Sequence, residues 1–115
     1  MSYDAPRKHL LSDTISGAQA LAGGALVQIS TTDKKFRKAF FYPLKTVPNT
    51  GVLPTSNVGD VLIGEKQDAN TFCPDTLSPG ASPLVVTAAE GTMLDLKDFW
   101  VFIATADDRV FVKYH

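Results

Sequence analysis

Apolar and polar positions alternate with a period of two over short runs, and Gly, Pro, Asn and Asp punctuate the gaps between them. The pattern is sharpest near the end, in LDLKDFWVFIATADDRVFVKY, residues 94–114. Two runs of β-branched and aromatic residues, FWVFIAT and RVFVKY, flank Asp107 and Asp108. Such residues fit a pleated, half-buried surface, and paired aspartates tolerate the backbone of a tight turn. The pattern predicts a hairpin with Thr105 opposite Val110, Ile103 opposite Val112 and Val101 opposite Tyr114. One face then carries Val101, Ile103, Val110 and Val112. The other carries Trp100, Phe102, Ala104 and Phe111, with Arg109 and Lys113 as cations. Both faces need cover. The aliphatic one is the natural core face. The mixed one, through Trp100, Phe102, Phe111 and Lys113, is expected to form an oligomer interface, because aromatics bordered by charge match an interface core and its rim. The competing cover is the 65–79 loop, with Phe72 folded over Trp100.

Upstream, Leu10 to Ile15 reads as a first strand and residues 16–24 as a glycine-punctuated turn. Ala25 to Thr31 follows as a strand, and Asp33 to Arg37 as one helical turn with Asp33 at its N-cap. Ala39 to Thr46 is a strand interrupted by Pro43, which places it at a sheet edge or a bulge. A Pro- and Gly-rich loop covers 47–59, and Asp60 to Gly64 is a short strand. The polar stretch 65–79 is long enough for a functional or partner-contacting loop. Leu84 to Thr87 and Thr92 to Leu96 are further strands. Leu21 to Ala25 and Leu77 to Ala81 both set a glycine corner before an apolar strand, which reads as the same local solution used twice rather than as a two-fold sandwich symmetry. The expected class is all-β: a single antiparallel β-sandwich, jelly-roll-like, of about seven short strands. Residues 1–8 are expected to be a flexible arm and 9–115 one domain.

Composition narrows the function. A hydrophobic content of 44% with 20% charged residues argues against disorder. The net charge of −1 leaves no global electrostatic footprint for nucleic acid. The basic run Lys34-Lys35-Phe36-Arg37-Lys38 reads as a solvated turn or short helix rather than a polyanion patch. Cys73 is the only cysteine, so neither an intrachain disulfide nor a cysteine zinc set is available. The start lacks the apolar core of a signal peptide, and no run reaches the ~20 apolar residues of a membrane span. No membrane association is expected.

No arrangement of residues announces catalysis. His9 and His115 lie outside any H-x-H or HExxH pattern and read as bystanders. Cys73, between Phe72 and Pro74, has no base positioned in sequence and reads as a loop residue. The serines lack a G-x-S-x-G elbow, and the glycines form no phosphate cradle. Asp60, Glu65, Asp68 and Asp75 crowd one region without EF-hand spacing. The expectation is a non-enzyme with no cofactor, no metal site and no nucleic-acid partner.

Residues 57–114 run in a particular order: the strand VLIG (Val61 to Gly64), a polar loop, and a corner with Leu77, Pro79 and Gly80. An apolar strand follows, then Asp95-Leu96, FWVFIAT, an acidic turn and RVFVKY. This order resembles small bacteriophage virion proteins, those that decorate heads or sit in tails and fibres. The GGALVQIS strand extends the likeness weakly, whereas the segment before Asn57 and the Cys73 loop do not match it. The resemblance implies a homo-oligomeric structural module, often a trimer, without cofactor. Its partners would be copies of itself and a capsid or tail protein, and its location the virion after assembly in the host cytoplasm. The alternative is a carbohydrate-binding module using Trp100, Tyr42 or Phe72 as stacking groups. A small cupin-like enzyme ranks third.

Overall fold

A computed structural model of the chain describes residues 11–16, 25–45, 55–65 and 75–115. Among them the fold is all-β and antiparallel, with ten strands: β1 (Leu11–Ser16), β2 (Ala25–Gln28), β3 (Lys35–Phe36), β4 (Lys38–Tyr42), β5 (Val61–Glu65), β6 (Asp75–Leu77), β7 (Leu84–Thr87), β8 (Leu94–Asp95), β9 (Phe99–Ile103) and β10 (Arg109–Tyr114). Sheet one has the order β1-β10-β4-β7 and sheet two the order β2-β9-β5-β6, while β3 and β8 form a separate two-stranded ribbon. The strand expected at Leu84 to Thr87 is found with those bounds. β3, β6 and β8 are only two or three residues long, and β6 falls inside the stretch read as a loop. The expected arm, the 16–24 turn apart from Ser16, most of the 47–59 loop, His9, Asp68, Phe72 and Cys73 lie outside the described residues.

One cluster of buried side chains draws on both sheets. Sheet one contributes Ala39 and Phe41 from β4 with Val110, Val112 and Tyr114 from β10; sheet two contributes Val61, Ile63, Leu77, Phe99, Val101 and Ile103. The rings of Phe41 and Phe99 join the two, with centroids 6.0 Å apart, and Phe36 of the ribbon reaches Phe99 at 5.9 Å. The strictly alternating burial of β4 and β9 follows from this: odd-numbered positions Ala39, Phe41, Val101 and Ile103 face the cluster, and their neighbours face away.

The hairpin expected from the last two strands does not exist. β9 pairs with β2 and β5, and β10 pairs with β1 and β4. Residues 104–108 therefore carry the chain from one sheet to the other rather than folding it back on its neighbour. The sides were assigned correctly all the same, because Val101, Ile103, Val110 and Val112 are all fully buried. Two strands that each bury an aliphatic face can satisfy them in a common core without pairing edge to edge. Asp107 does adopt the left-handed backbone expected of it, at φ 71°, in a turn closed by Asp108 N–H donating to Thr105 O at 3.2 Å.

Two other expectations are corrected. Asp33 caps no helix: its carboxylate meets Lys97 Nζ at 2.6 Å, and the following Lys35 and Phe36 extend to pair with Asp95 and Leu94. Nor is the Pro43 strand an edge, since β4 lies between β10 and β7. Proline is accommodated because β4 ends at Tyr42, and Leu44 N–H bonds back to Tyr42 O at 2.9 Å. The corner at 78–81 has the chemistry of a type II turn: Pro79 is second, Gly80 third at φ 76°, and Ala81 N–H donates to Ser78 O at 3.0 Å. It passes the chain from sheet two to sheet one.

Candidate functional site

The faces turned away from the shared core are built differently on the two sheets. On sheet one, register sets Ser12, Lys113, Phe40 and Val85 in one outward row, and Thr14, Phe111 and Tyr42 in the next. Lys38 lies across from Thr87, and Arg109 continues the outward side of β10. These rows hold cations, aromatics and hydroxyls and no carboxylate. Lys113 Nζ stands 5.8 Å from the Tyr42 ring centre and 5.9 Å from that of Phe111, and Lys38 Nζ 5.4 Å from that of Phe40. Cation–ring contacts at exposed sites contribute about 0.5–1 kcal/mol each. Phe111, centred in the sheet and 5.9 Å from the Tyr42 ring, is buried on this outer side, whereas Phe40, Tyr42 and Lys113 remain half-buried. Arg109 Nε is buried without a hydrogen-bond partner among the described residues.

On sheet two the outward rows are Leu26, Phe102, Leu62 and Thr76, then Gln28, Trp100 and Gly64. They are uncharged. Leu26, Leu62, Trp100 and Phe102 are each half-buried, so Trp100 belongs to an outer face and not to the core. Gly64 beside Trp100 offers no side chain to cover the indole from that strand. The only charged residues in the strands of sheet two are Glu65 and Asp75, both exposed, and Asp98 stands two residues before Trp100.

The four residues expected to share one interface are thus divided. Trp100 and Phe102 lie on the outer side of sheet two, Phe111 and Lys113 on that of sheet one. The same division separates Trp100 from Tyr42 as members of a single stacking platform. Sequence reasoning missed Phe40, Lys38, Leu26 and Leu62, which complete the two faces. Alternation marks Phe40 as opposite in side to Phe41, but only the register shows what stands beside it.

A cavity of about 300 Å³ opens between the sheets, lined by Ile63, Leu84, Val86 and Phe99 with Glu65 and Asp75 at its rim. Among the described residues no three His, Cys, Asp or Glu side chains are grouped to hold a metal ion. The ends of the basic run are engaged: Lys34 pairs with Asp13 at 2.5 Å, Lys35 with Asp95 at 3.4 Å, and Arg37 and Lys38 donate backbone N–H groups to His115 O. His115 itself is exposed. Among the described residues no helix is long and apolar enough to cross a membrane. Comparison of the chain with protein-family profiles, with curated proteins and with solved structures finds no match.

Proposed function

We propose that the chain is a non-enzymatic structural subunit of a bacteriophage particle, a jelly-roll β-sandwich that decorates the capsid or belongs to a tail or fibre. It works by self-association and by contact with a capsid or tail protein. The observation that carries this reading is the strand order. Two four-stranded antiparallel sheets, β1-β10-β4-β7 and β2-β9-β5-β6, share one apolar cluster, and apart from the ribbon strands each successive strand changes sheet except at β5 and β6, which pair within sheet two. This order supports the reading because it is the one expected of an eight-stranded jelly roll, an architecture used in viral capsid and lectin domains. The outer faces support the contact role. Trp100, Phe102, Leu26 and Leu62 form an uncharged apolar surface of the kind that marks interaction sites.

The experiment is mass spectrometry of gradient-purified virus particles from cells that express the chain. The chain is expected in the particle band at a fixed stoichiometry to the main shell or tail protein. Its confinement to the soluble fraction, with particles free of it, would overturn the reading. The carbohydrate alternative keeps one point in its favour, the half-buried Trp100 on an outer face opposite Gly64, which has no side chain to set against the indole. A glycan array with wild type and Trp100→Ala tests it.

A further inference from the structure

β7 is an edge of sheet one, and the hydrogen bonds that hold it all face one way. Ala88 N–H donates to Arg37 O at 2.8 Å, which with the register makes Val86 opposite Ala39 and Leu84 opposite Phe41 the pairs bonded to β4. The N–H and C=O groups of Val85 and Thr87 then point away from the sheet, and among the described residues no strand pairs with them. Edge strands are commonly blunted by a charge, a proline or a bulge. Leu84-Val85-Val86-Thr87 has neither charge nor proline, pairs with β4 without a break in register, and leaves Val85 44% exposed. The inner side chains of the same strand form a cavity wall. Leu84 and Val86 face the opening between the sheets, whose volume of about 300 Å³ lies at the lower end of those that hold ligands. Glu65, opposite Phe99, and Asp75, opposite Ile63, are set on this inner side by register. Both carboxylates are exposed, and among the described residues no cation lines the cavity.

We infer that β7 takes an additional strand: an extended segment of a partner protein, with apolar side chains at alternate positions and a lysine or arginine among them. It runs antiparallel to β7, as all the described strand pairs do, and its backbone bonds to Val85 and Thr87. Every second side chain then stands beside Leu84 and Val86 on the side of the cavity. There the apolar ones extend its wall, and the cation meets Glu65 and Asp75. Strand addition draws affinity from main-chain hydrogen bonds and selectivity from pockets for alternate side chains. β7 offers both, an open backbone row and an adjoining pocket. Charge selects among the occupants. A second copy pairing through its own β7 sets both cavities on one face of the joined sheet and turns Glu65 and Asp75 of the two copies toward each other. Like charges set together across a contact are costly. A small apolar molecule fills the cavity but leaves Val85 and Thr87 unpaired. The contact lies at the edge of the sandwich, apart from its outer faces, and its partner is defined by chemistry whether or not the chain belongs to a particle.

Binding of a blocked peptide, acetyl-Lys-Thr-Val-Thr-Val-Thr-Lys-amide, to the full chain tests this by calorimetry and amide hydrogen exchange. Its lysines and valines share one side, and its threonines the other. Saturable binding in the micromolar to millimolar range is expected, with exchange slowed at the Val85 and Thr87 amides. N-methylation of the threonines, which in antiparallel register face Val85 and Thr87, should weaken binding at least about tenfold, and so should glutamate in place of both lysines. Val85→Pro removes a donor that β4 does not use, so it should fold, as circular dichroism checks, and fail to bind. Glu65→Gln combined with Asp75→Asn should fold and lose the preference for the lysine peptide. If Val85→Pro does not fold, the N-methylated peptide and the carboxylate variant carry the test. No binding up to millimolar peptide, equal binding of the N-methylated or the acidic peptide, or binding without protection at Val85 and Thr87 would each overturn the inference. Wild-type self-association that Val85→Pro abolishes and the peptide does not disturb would also overturn it and give the edge to a second copy. Hexylammonium bound as tightly as the peptide, by wild type and Val85→Pro alike, would overturn it and assign the cavity to a small amphiphile.

Discussion

Asn57 and Arg109 hold each other in both directions. Asn57 Nδ2 donates to Arg109 O at 2.7 Å, and Arg109 N–H donates to Asn57 Oδ1 at 3.1 Å, so a buried side-chain amide pairs with the start of β10 as a neighbouring strand would. Next to this pair, the fully buried Asp108 accepts from Val58 N–H at 2.9 Å and Gly59 N–H at 2.8 Å. The two side chains fasten the segment before β5 to the link that carries the chain between the sheets. Removing either leaves backbone donors or acceptors unpaired, at a cost of about 1–3 kcal/mol. Asp108→Ala and Asn57→Ala are therefore expected to lower unfolding stability by about that much in urea titration. Because the two share one segment, the double variant should cost less than the sum.

Gly59 and Gly91 are both required, for different reasons. A Cβ on Gly59 would run into Thr105 Oγ1, whereas one on Gly91 meets nothing but would be forced into the left-handed region at φ 79°. Gly91→Ala should cost about 1–2 kcal/mol from backbone conformation alone. Gly59→Ala should also destabilise, but Thr105→Ala, which removes the obstructing hydroxyl, should restore part of the loss. The same second change should do nothing for Gly91→Ala. A thermal double-mutant cycle on each pair separates the two cases.

Asp95 ties the ribbon to the 3₁₀ turn at Leu96–Asp98. Its Oδ1 accepts from Lys34 N–H at 2.9 Å and Lys97 N–H at 3.0 Å, and Lys35 Nζ lies 3.4 Å from its Oδ2. The Lys34 hydrogen bond first, then that from Lys97, holds the carboxyl below the usual aspartate range, and burial opposes them only in part. A carboxyl lowered on folding adds stability that is fully present above its unfolded pKa and is lost as pH falls through the folded value. Wild type should therefore lose stability steadily below about pH 4. Asp95→Asn should be less stable at neutral pH and show a shallower acid limb, read from melting temperature against pH.

The side of each residue was legible in the sequence, and the neighbour of each strand was not. Alternation in FWVFI and RVFVKY sorts Val101, Ile103, Val110 and Val112 from Trp100, Phe102 and Phe111, because a period of two is intrinsic to an extended chain. The same alternation holds whether two strands pair or sit in different sheets. The five residues from Ala104 to Asp108 fit a hairpin as readily as a crossing. What distinguishes them is Asp108 turning inward to Val58 and Gly59, a contact about fifty positions away in the chain. β6 escaped notice because Asp75, Thr76 and Leu77 offer a single apolar position, and its strand character comes from pairing with Val61, Leu62 and Ile63. The interface residues were found as a set facing away from the core. That they divide between two faces depends on the same long-range pairing.

Phe40 and Phe41 put the sorting of sides to a direct test. Phe41 is fully buried against Phe99, and Phe40 faces outward under Lys38. Phe41→Ala should cost about 3–5 kcal/mol, as large-to-small changes in packed cores do. Phe40→Ala should cost well under half of that in the isolated chain. Equal losses in urea unfolding would contradict the assignment of inner and outer sides on β4.

Self-association is the claim on which the functional account turns, and sedimentation equilibrium of the wild-type chain from micromolar to millimolar concentration tests it most directly. A defined oligomer, or a growing assembly whose average mass rises with concentration, is expected. A single species of 12.4 kDa across the whole range would contradict it.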